Sequence, residues 1–339
     1  MPAVVYVACA DSQEICVGHL DGATGALNVI QRAPVPGAVM PLAIGPGRKF
    51  LYAGLRSEPF SVATLAIDQT AGTLRLDTMA PLPDNMAYLS TDKTGRFLLS
   101  ASYPGNKMSI NPIGRNGAVK GRPVQIVLTP PHPHSILTDP SNRHVFVPCL
   151  GADTIMQYRF NSDNGRVTPN TPPAVEAARK AGPRHLVFHP FRPFAYSTNE
   201  LDATVGAYRF DAAAGALAPI GTWTLLPPGH AGGAPFAAAD IHVAPDGRFL
   251  YASERASNSL AAFTVDAETG MLAPAGTVRT EEKPRGFNID PRGRYLLSVG
   301  QVSHHLTSYA IDPRTGALAP RHRYAMGANP NWVEIVHLG

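Results

Sequence analysis

The chain has 339 residues, 44% hydrophobic and only 16% charged, with a formal net charge of +4 and a pI near 9.0. No run of Lys or Arg exceeds two residues, which argues against a nucleic-acid footprint, and no apolar stretch reaches the roughly 18 residues of a membrane-spanning helix. A diffuse basic excess suits the attraction of a small anion instead.

The first element is a strand, Val4-Val5-Tyr6-Val7, with no basic segment of the kind that opens a secretory leader; a cytoplasmic location is therefore expected. Cys9, Cys16 and Cys149 are odd in number and lack CxxC or zinc-ligand spacing, so they are read as free thiols in a reducing compartment. From here the chain repeats. Gly25, Gly72, Gly117, Gly165, Gly215, Gly270 and Gly316 recur at steps of 45 to 55 residues, each in a phrase such as Thr24-Gly25-Ala26-Leu27 or Asn164-Gly165-Arg166-Val167. The phrase reads as a tight hairpin whose glycine takes a positive φ. In step with it run short apolar strands, Phe50-Leu51-Tyr52, Phe97-Leu98-Leu99, Val145-Phe146-Val147, Phe194-Ala195-Tyr196, Phe249-Leu250-Tyr251 and Tyr295-Leu296-Leu297, several opened by a Gly-Arg turn.

Four short strands and no helix in each period predict an all-β propeller, and the absence of a WD dipeptide argues against the WD40 class. Innermost strands occur six times inside the chain, around Leu42, Tyr88, Ser135, His185, Ile241 and Gly286. The first repeat lacks one, and the C-terminal Asn331-Trp332-Val333-Glu334-Ile335-Val336 supplies it. The prediction is a ring of seven four-stranded antiparallel blades, with the N-terminal blade closed by the C-terminal strand. All of residues 1–339 are read as one domain, because an array that closes on itself cannot be divided. The 31 Gly and 33 Pro fall at turns between strands, which fits this better than disorder.

The mouth of a propeller channel is a ready pocket. Six residues before the proline or its equivalent that ends each innermost strand stand Met40, Ala87, His134, Arg184, Ala239 and Arg285, with Asn331 in the closing strand. A blade has no structural use for Arg at such a position. A second register, in the loop after the apolar strand, reads Asp11, Arg56, Tyr103, Gly151, Glu200, Arg255 and Gln301; loops are polar in any case, so each of these alone says little. Blades four to seven together supply His134, Arg184, Glu200, Arg255 and Arg285. Arginines clamp a carboxylate or phosphate and can hold an oxyanion, and His134 or Glu200 could take a proton from water. The residues leave that choice open.

His242, Asn288, Asn331, Gln301 and His304 are further candidates for contact with substrate, though Asn288 and Asp240 equally suit structural hydrogen bonding. His185, His189 and His242 read first as core or turn histidines, and Trp332 as packing between blades. A metal site assembled from His132, His134, His242 and His304-His305 is the weaker reading. Adjacent histidines on a strand point to opposite faces, and no acidic residues repeat across the inner strands. No metal or cofactor is expected.

The phrases Ala181-Gly182-Pro183-Arg184-His185-Leu186, Asn199-Glu200-Leu201, Ala239-Asp240-Ile241-His242, Pro284-Arg285-Gly286-Phe287-Asn288 and Gly300-Gln301-Val302-Ser303-His304-His305 resemble the lactonase family of seven-bladed propellers over essentially the whole chain. The resemblance implies metal-free hydrolysis of 6-phosphoglucono-δ-lactone in the pentose phosphate pathway. It also implies an active-site set of His, Arg, Glu and Arg falling on His134, Arg184, Glu200 and Arg255. Two alternatives stand beside it: a lactonase or carboxymuconate-type cycloisomerase acting on another anionic substrate, and a non-catalytic platform for protein partners. The platform requires an apolar ring face and an uncharged channel. Neither nucleic acid nor membrane is an expected partner, and the chain should be a monomer or weak homodimer. The longest repeat carries the loop Leu226–Phe236, with three glycines and three prolines, read as an insertion or a lid.

Overall fold

All seven repeat glycines lie in the left-handed region, with φ from 65° to 81°. The turn around each is wider than the two-residue hairpin that the sequence suggests. In the first, the strands end at Leu20 and resume at Leu27, and Asp21 caps the loop by accepting the N–H groups of Ala23 and Thr24 through Oδ1 at 2.7 and 3.0 Å. Asp68, Asn161, Asp211, Asp266 and Asp312 repeat that cap. The carboxylate or amide satisfies backbone donors that a tight turn would satisfy itself.

The glycine has a second duty, which explains why two sequence phrases recur in step. A Cβ on Gly25 would lie 2.4 Å from the ring of Tyr295, and one on Gly117 would lie 2.2 Å from Phe50. The first residue of each apolar strand thus lies flat on the glycine of the next blade. In blade 4 that residue is His144, against Gly215, and in blade 1 it is Val4, against Gly72. The residues on the glycine there are His144 and Val4, one position earlier than the apolar phrases place them, so the loop register holds Leu150 and Ala10 in place of Gly151 and Asp11.

The computed structural model describes residues 3–227, 229 and 235–338, and the loop Leu226–Phe236 falls largely outside that set. Seven four-stranded antiparallel sheets form the propeller. Blade 1 runs, from the axis outward, Pro330–His337, Ala3–Cys9, Glu14–Leu20 and Leu27–Pro34, with Val4 opposite Val336; the C-terminal strand closes the ring as predicted. Seven apolar clusters hold the blades together, each drawn from two neighbours. The core is therefore circular, and the axis is left for polar side chains.

Candidate active site

The inner strands that carry the arginines do not pair evenly. Pairing skips from Pro183 to Leu186, from Ala238 to Ile241 and from Pro284 to Gly286. A bulge of this kind re-aims the side chains within it, and here it turns Arg184 and Arg285 toward the axis. Gly182 with φ 66° and Lys283 with φ 58° set the chain direction just before each.

Arg184 has no solvent exposure. Its Nη1 donates to the carbonyl of Ala239, and its Nε lies 2.7 Å from Glu200 Oε2 as an ion pair off the hydrogen-bond line. Arg255 grips the other oxygen of Glu200, Nη2 to Oε1 at 2.8 Å, and donates through Nε to the Ala237 carbonyl at 2.9 Å. Burial alone would raise the Glu200 carboxyl, but Arg184 and Arg255 overcome it and hold the group below its ordinary range. Burial also lowers Arg184, to about 10, so it remains charged at neutral pH. The three side chains form a rigid clamp across blades 5 and 6, with Arg184 Nη2 buried and unpartnered.

His134 stands beside this clamp. Burial, then the charge of Arg184, drives its imidazole well below the usual histidine value, so it is neutral. Its ring meets that of His185 at 5.3 Å and Tyr103 at 5.7 Å, and its Nδ1 is buried without a partner. Arg285, on blade 7, makes no hydrogen bond or ion pair with any described residue, and its Nε is buried. The pocket also contains Arg56, from the loop of blade 2, which the sequence register held but which was not grouped with the others. Its Nε donates to Asn85 Oδ1, and its Nη1 lies 3.6 Å from the Met40 sulfur.

Beneath these residues the channel is shut. Tyr88, His185 and Trp332, from blades 3, 5 and 1, meet with ring centroids 5.1 to 5.8 Å apart. Trp332, expected between blades, does pack on the cluster of blades 1 and 2 but reaches the axis as well. His185 Nδ1 bonds Asp240 Oδ1 at 2.9 Å, and Asp240 Oδ2 takes His242 Nε2 at 3.3 Å and the Phe287 N–H at 3.2 Å. Burial would raise Asp240, yet His242 and His185 hold it well below the carboxylate range. Burial and then Arg184 push His185 down to about 4.

His242, Asn288 and Glu334 belong to the next layer down. Asn288 donates to the Val333 carbonyl at 3.1 Å, and His242 packs against Phe287; neither is bonded to an arginine of the pocket. Burial raises Glu334 to about 7 while its Oε1 accepts Trp332 Nε1 at 2.9 Å. A raised carboxyl binds its proton in the folded state where the unfolded chain has lost it, so this stability is present at low pH and falls as pH rises through about 7. Glu334→Gln keeps the acceptor and removes the charge. It should melt several degrees above the parent at pH 8, with the gap closing at pH 5 in paired thermal scans. An equal gap at both pH values would show that Glu334 does not titrate there.

Of the remaining candidates, Gln301 and His304 are bonded away from the arginines. Gln301 Nε2 bonds Asn329 Oδ1 at 2.9 Å, and exposed His304, in a turn with φ 56°, accepts the Asn329 N–H at 3.0 Å. These two tie blade 7 to blade 1 and are not joined to the arginines. Asn331 is in the ring: its Nδ2 donates to the carbonyls of Val39 and Asn329, and its Oδ1 is buried and free. His189 is a turn histidine, accepting the Phe191 and Arg192 N–H groups through Nδ1. Among the described residues the one trio of His, Cys, Asp or Glu with metal-ligand spacing is Cys9, Glu14 and Cys16 in blade 1, where the thiols lie 3.8 Å apart and Arg32 pairs with Glu14 at 2.6 Å. A cleft of about 670 Å³ between the outer strands of blades 6 and 7 holds none of the pocket residues, and its Glu281 is already paired with Arg323.

Residues 4–335 match the family described as lactonase, 7-bladed beta-propeller. A Pectobacterium carotovorum protein named 6-phosphogluconolactonase is 43% identical over 338 residues, covering 100% of each chain. A Yersinia pestis protein of the same name is 41% identical over 335 residues, 99% of this chain and 98% of its own. Among solved structures, the periplasmic gluconolactonase of Pseudomonas aeruginosa superposes with a TM-score of 0.91 at 25% identity, over 100% of both chains. No helix among the described residues is long and apolar enough to cross a membrane.

Proposed function

The chain belongs to the seven-bladed β-propeller lactonase family, and from that membership and the charge of its pocket we propose that it hydrolyses 6-phospho-D-glucono-1,5-lactone to 6-phosphogluconate, a step of the pentose phosphate pathway. The observation that carries the choice of substrate is the balance of charge. Four guanidinium groups, of Arg56, Arg184, Arg255 and Arg285, share one carboxylate partner, Glu200, while Asp240 is engaged by His185 and His242. The surplus positive charges suit a phosphate monoester dianion. An unphosphorylated gluconolactone, the substrate class in the name of the Pseudomonas neighbour, would leave them unanswered in a buried site, where an unpaired charge is costly.

Lactone hydrolysis needs a base for water, a cradle for the oxyanion and a proton for the departing ring oxygen. His134 is neutral and able to accept a proton, whereas Glu200 is held ionised by two arginines and is a weak base. Water adds to the carbonyl carbon as His134 takes its proton. Arg184, with Nη2 unspent, stabilises the oxyanion. When the tetrahedral intermediate collapses, the bond to the ring oxygen breaks and the imidazolium returns the proton to it. The new carboxylic acid then ionises. Binding of the dianion offsets the arginines that depress His134, so substrate itself makes the base stronger.

The cycle uses no metal, since the pocket carboxylates are occupied by Arg184, Arg255, His185 and His242. The free state of Cys9, Cys16 and Cys149 favours a cytoplasmic setting. A platform for protein partners required an uncharged channel, and the channel is charged. The test is turnover of the phosphorylated lactone above its spontaneous opening, with and without EDTA. Full activity is expected in both; no activity would refute the substrate, and loss to EDTA would refute the metal-free cycle.

A further inference from the structure

The ring of side chains around the pocket is not uniform. In blade order its inner positions are Asn331, Met40, Ala87, His134, Arg184, Ala239 and Arg285. Ala87 and Ala239, both buried, divide it into two arcs. Blades 4 and 5 bring His134 and Arg184, to which Glu200 and Arg255 are bound from the loops. Blades 7, 1 and 2 bring Arg285, Asn331 and Met40, and over Met40 lies Arg56, its Nη1 3.6 Å from the sulfur. Arg56 thus occupies from a loop the place in blade 2 that Arg184 and Arg285 fill from their strands.

The arcs differ in how their charges are used. On the first, both arginines are committed to Glu200 and to backbone carbonyls. On the second, no carboxylate among the described residues pairs with Arg56 or Arg285, and Asp84, the acid beside Asn85, is taken by Lys107 at 2.8 Å. Arg56 is nonetheless held in place. Its backbone N–H bonds the Ala38 carbonyl at 2.8 Å, and its Nε donates to Asn85 Oδ1. Burial and the charges of Arg184, Arg255 and Arg56 weaken the hold of Arg285 on its proton, and Glu200 opposes them only in part. Two guanidinium groups without a carboxylate partner, near enough for one charge to act on the other, are a receptor for a dianion with several acceptor oxygens.

Resting on the substrate named above, we propose that Arg56 and Arg285 form a phosphate subsite on the arc of blades 7, 1 and 2, facing the Glu200 clamp, and that Arg56 sets the preference for phosphorylated lactones. The lactone carbonyl at C1 and the phosphate on C6 stand at opposite ends of the substrate, so gripping both calls for two separate clusters. The small side chains of Ala87 and Ala239 separate the two clusters. Asn331, with both amide hydrogens spent and a free buried Oδ1, is suited to accept from a sugar hydroxyl.

The experiment uses the full chain, as the parent, Arg56→Gln and Arg56→Lys. Steady-state rates are measured on phosphorylated and unphosphorylated gluconolactone, and calorimetric binding is measured for 6-phosphogluconate and gluconate. Arg56→Gln should lower the ratio of kcat/KM for phosphorylated over unphosphorylated lactone by about tenfold or more, chiefly through KM, and weaken 6-phosphogluconate to a similar extent. Arg56→Lys should recover part of both, because it keeps the charge without the fork. An unchanged ratio in an enzyme active on the phosphorylated lactone overturns the subsite and leaves the substrate standing. A parent without that activity that still binds 6-phosphogluconate through Arg56 refutes the substrate and keeps the subsite. Should Arg56→Gln not fold, Asn85→Ala, which frees the guanidinium from its anchor, is read by the same ratio.

Discussion

Arg184→Met should cut kcat/KM on the phosphorylated lactone by about 10² to 10³-fold while lowering Tm by only a few degrees. The size of the first effect follows from the position of Nη2, the buried and unspent nitrogen of the clamp. A donor fixed before the reaction begins stabilises a developing oxyanion at no cost of reorganisation, and methionine has nothing to offer in its place. The small second effect is less obvious, because removing a fully buried charge usually destabilises its partner. Here both partners keep a bond. Glu200 retains Arg255 Nη2 at 2.8 Å, and the Ala239 carbonyl retains Thr198 Oγ1 at 3.1 Å. Methionine also fills most of the volume, and replacing a buried charge with an apolar side chain of similar size is often neutral. A thermal melt beside the assay separates the cases: unchanged turnover would remove Arg184 from the chemistry, and a collapse in Tm would mean that the clamp supports the fold.

The ring could be read from the sequence because the same contact is made seven times. An aromatic or apolar side chain lies on a glycine of the next blade, so each phrase constrains the other and both recur at one spacing. Where the contact is made by Val4 or His144, the marker is missing and the alignment slips by one residue, enough to misplace Asp11 and Gly151. Arg184 and Arg285 were visible because a charged residue inside an apolar inner strand breaks its pattern. Arg56 stands in the same loop register as Glu200 and Arg255, but a charged residue in a polar loop breaks no pattern, and blade 2 is far along the chain from blades four to seven. In a closed ring blade 7 adjoins blade 1, which sets blade 2 close to Arg285. The floor of Tyr88, His185 and Trp332 left no signal, because it joins three blades far apart in the chain. The depth of His242 and Asn288 was hidden likewise, since the bulges that set which residues share a layer are a property of pairing and not of composition.

His134→Gln should lower kcat by about 10² to 10⁴-fold and abolish the acid limb of the pH profile. The parent must hold this histidine neutral to use it, so activity is lost as pH falls through its pKa. Burial and Arg184, with His185 and Arg285 adding to them, keep that value well below 6.5; the acid limb of kcat/KM, which reports the free enzyme, should therefore lie well below pH 6.5. A bound phosphate dianion answers those positive charges and raises the pKa of His134, so the limb of kcat should stand at higher pH than that of kcat/KM. With unphosphorylated lactone the two limbs should lie closer together, because nothing offsets the arginines. Glu200 as the base would reverse this: its carboxyl is held low by Arg184 and Arg255, the acid limb would fall in the carboxylate range, and His134→Gln would leave it in place. Profiles of both constants on both substrates, for parent and variant, decide between the two groups.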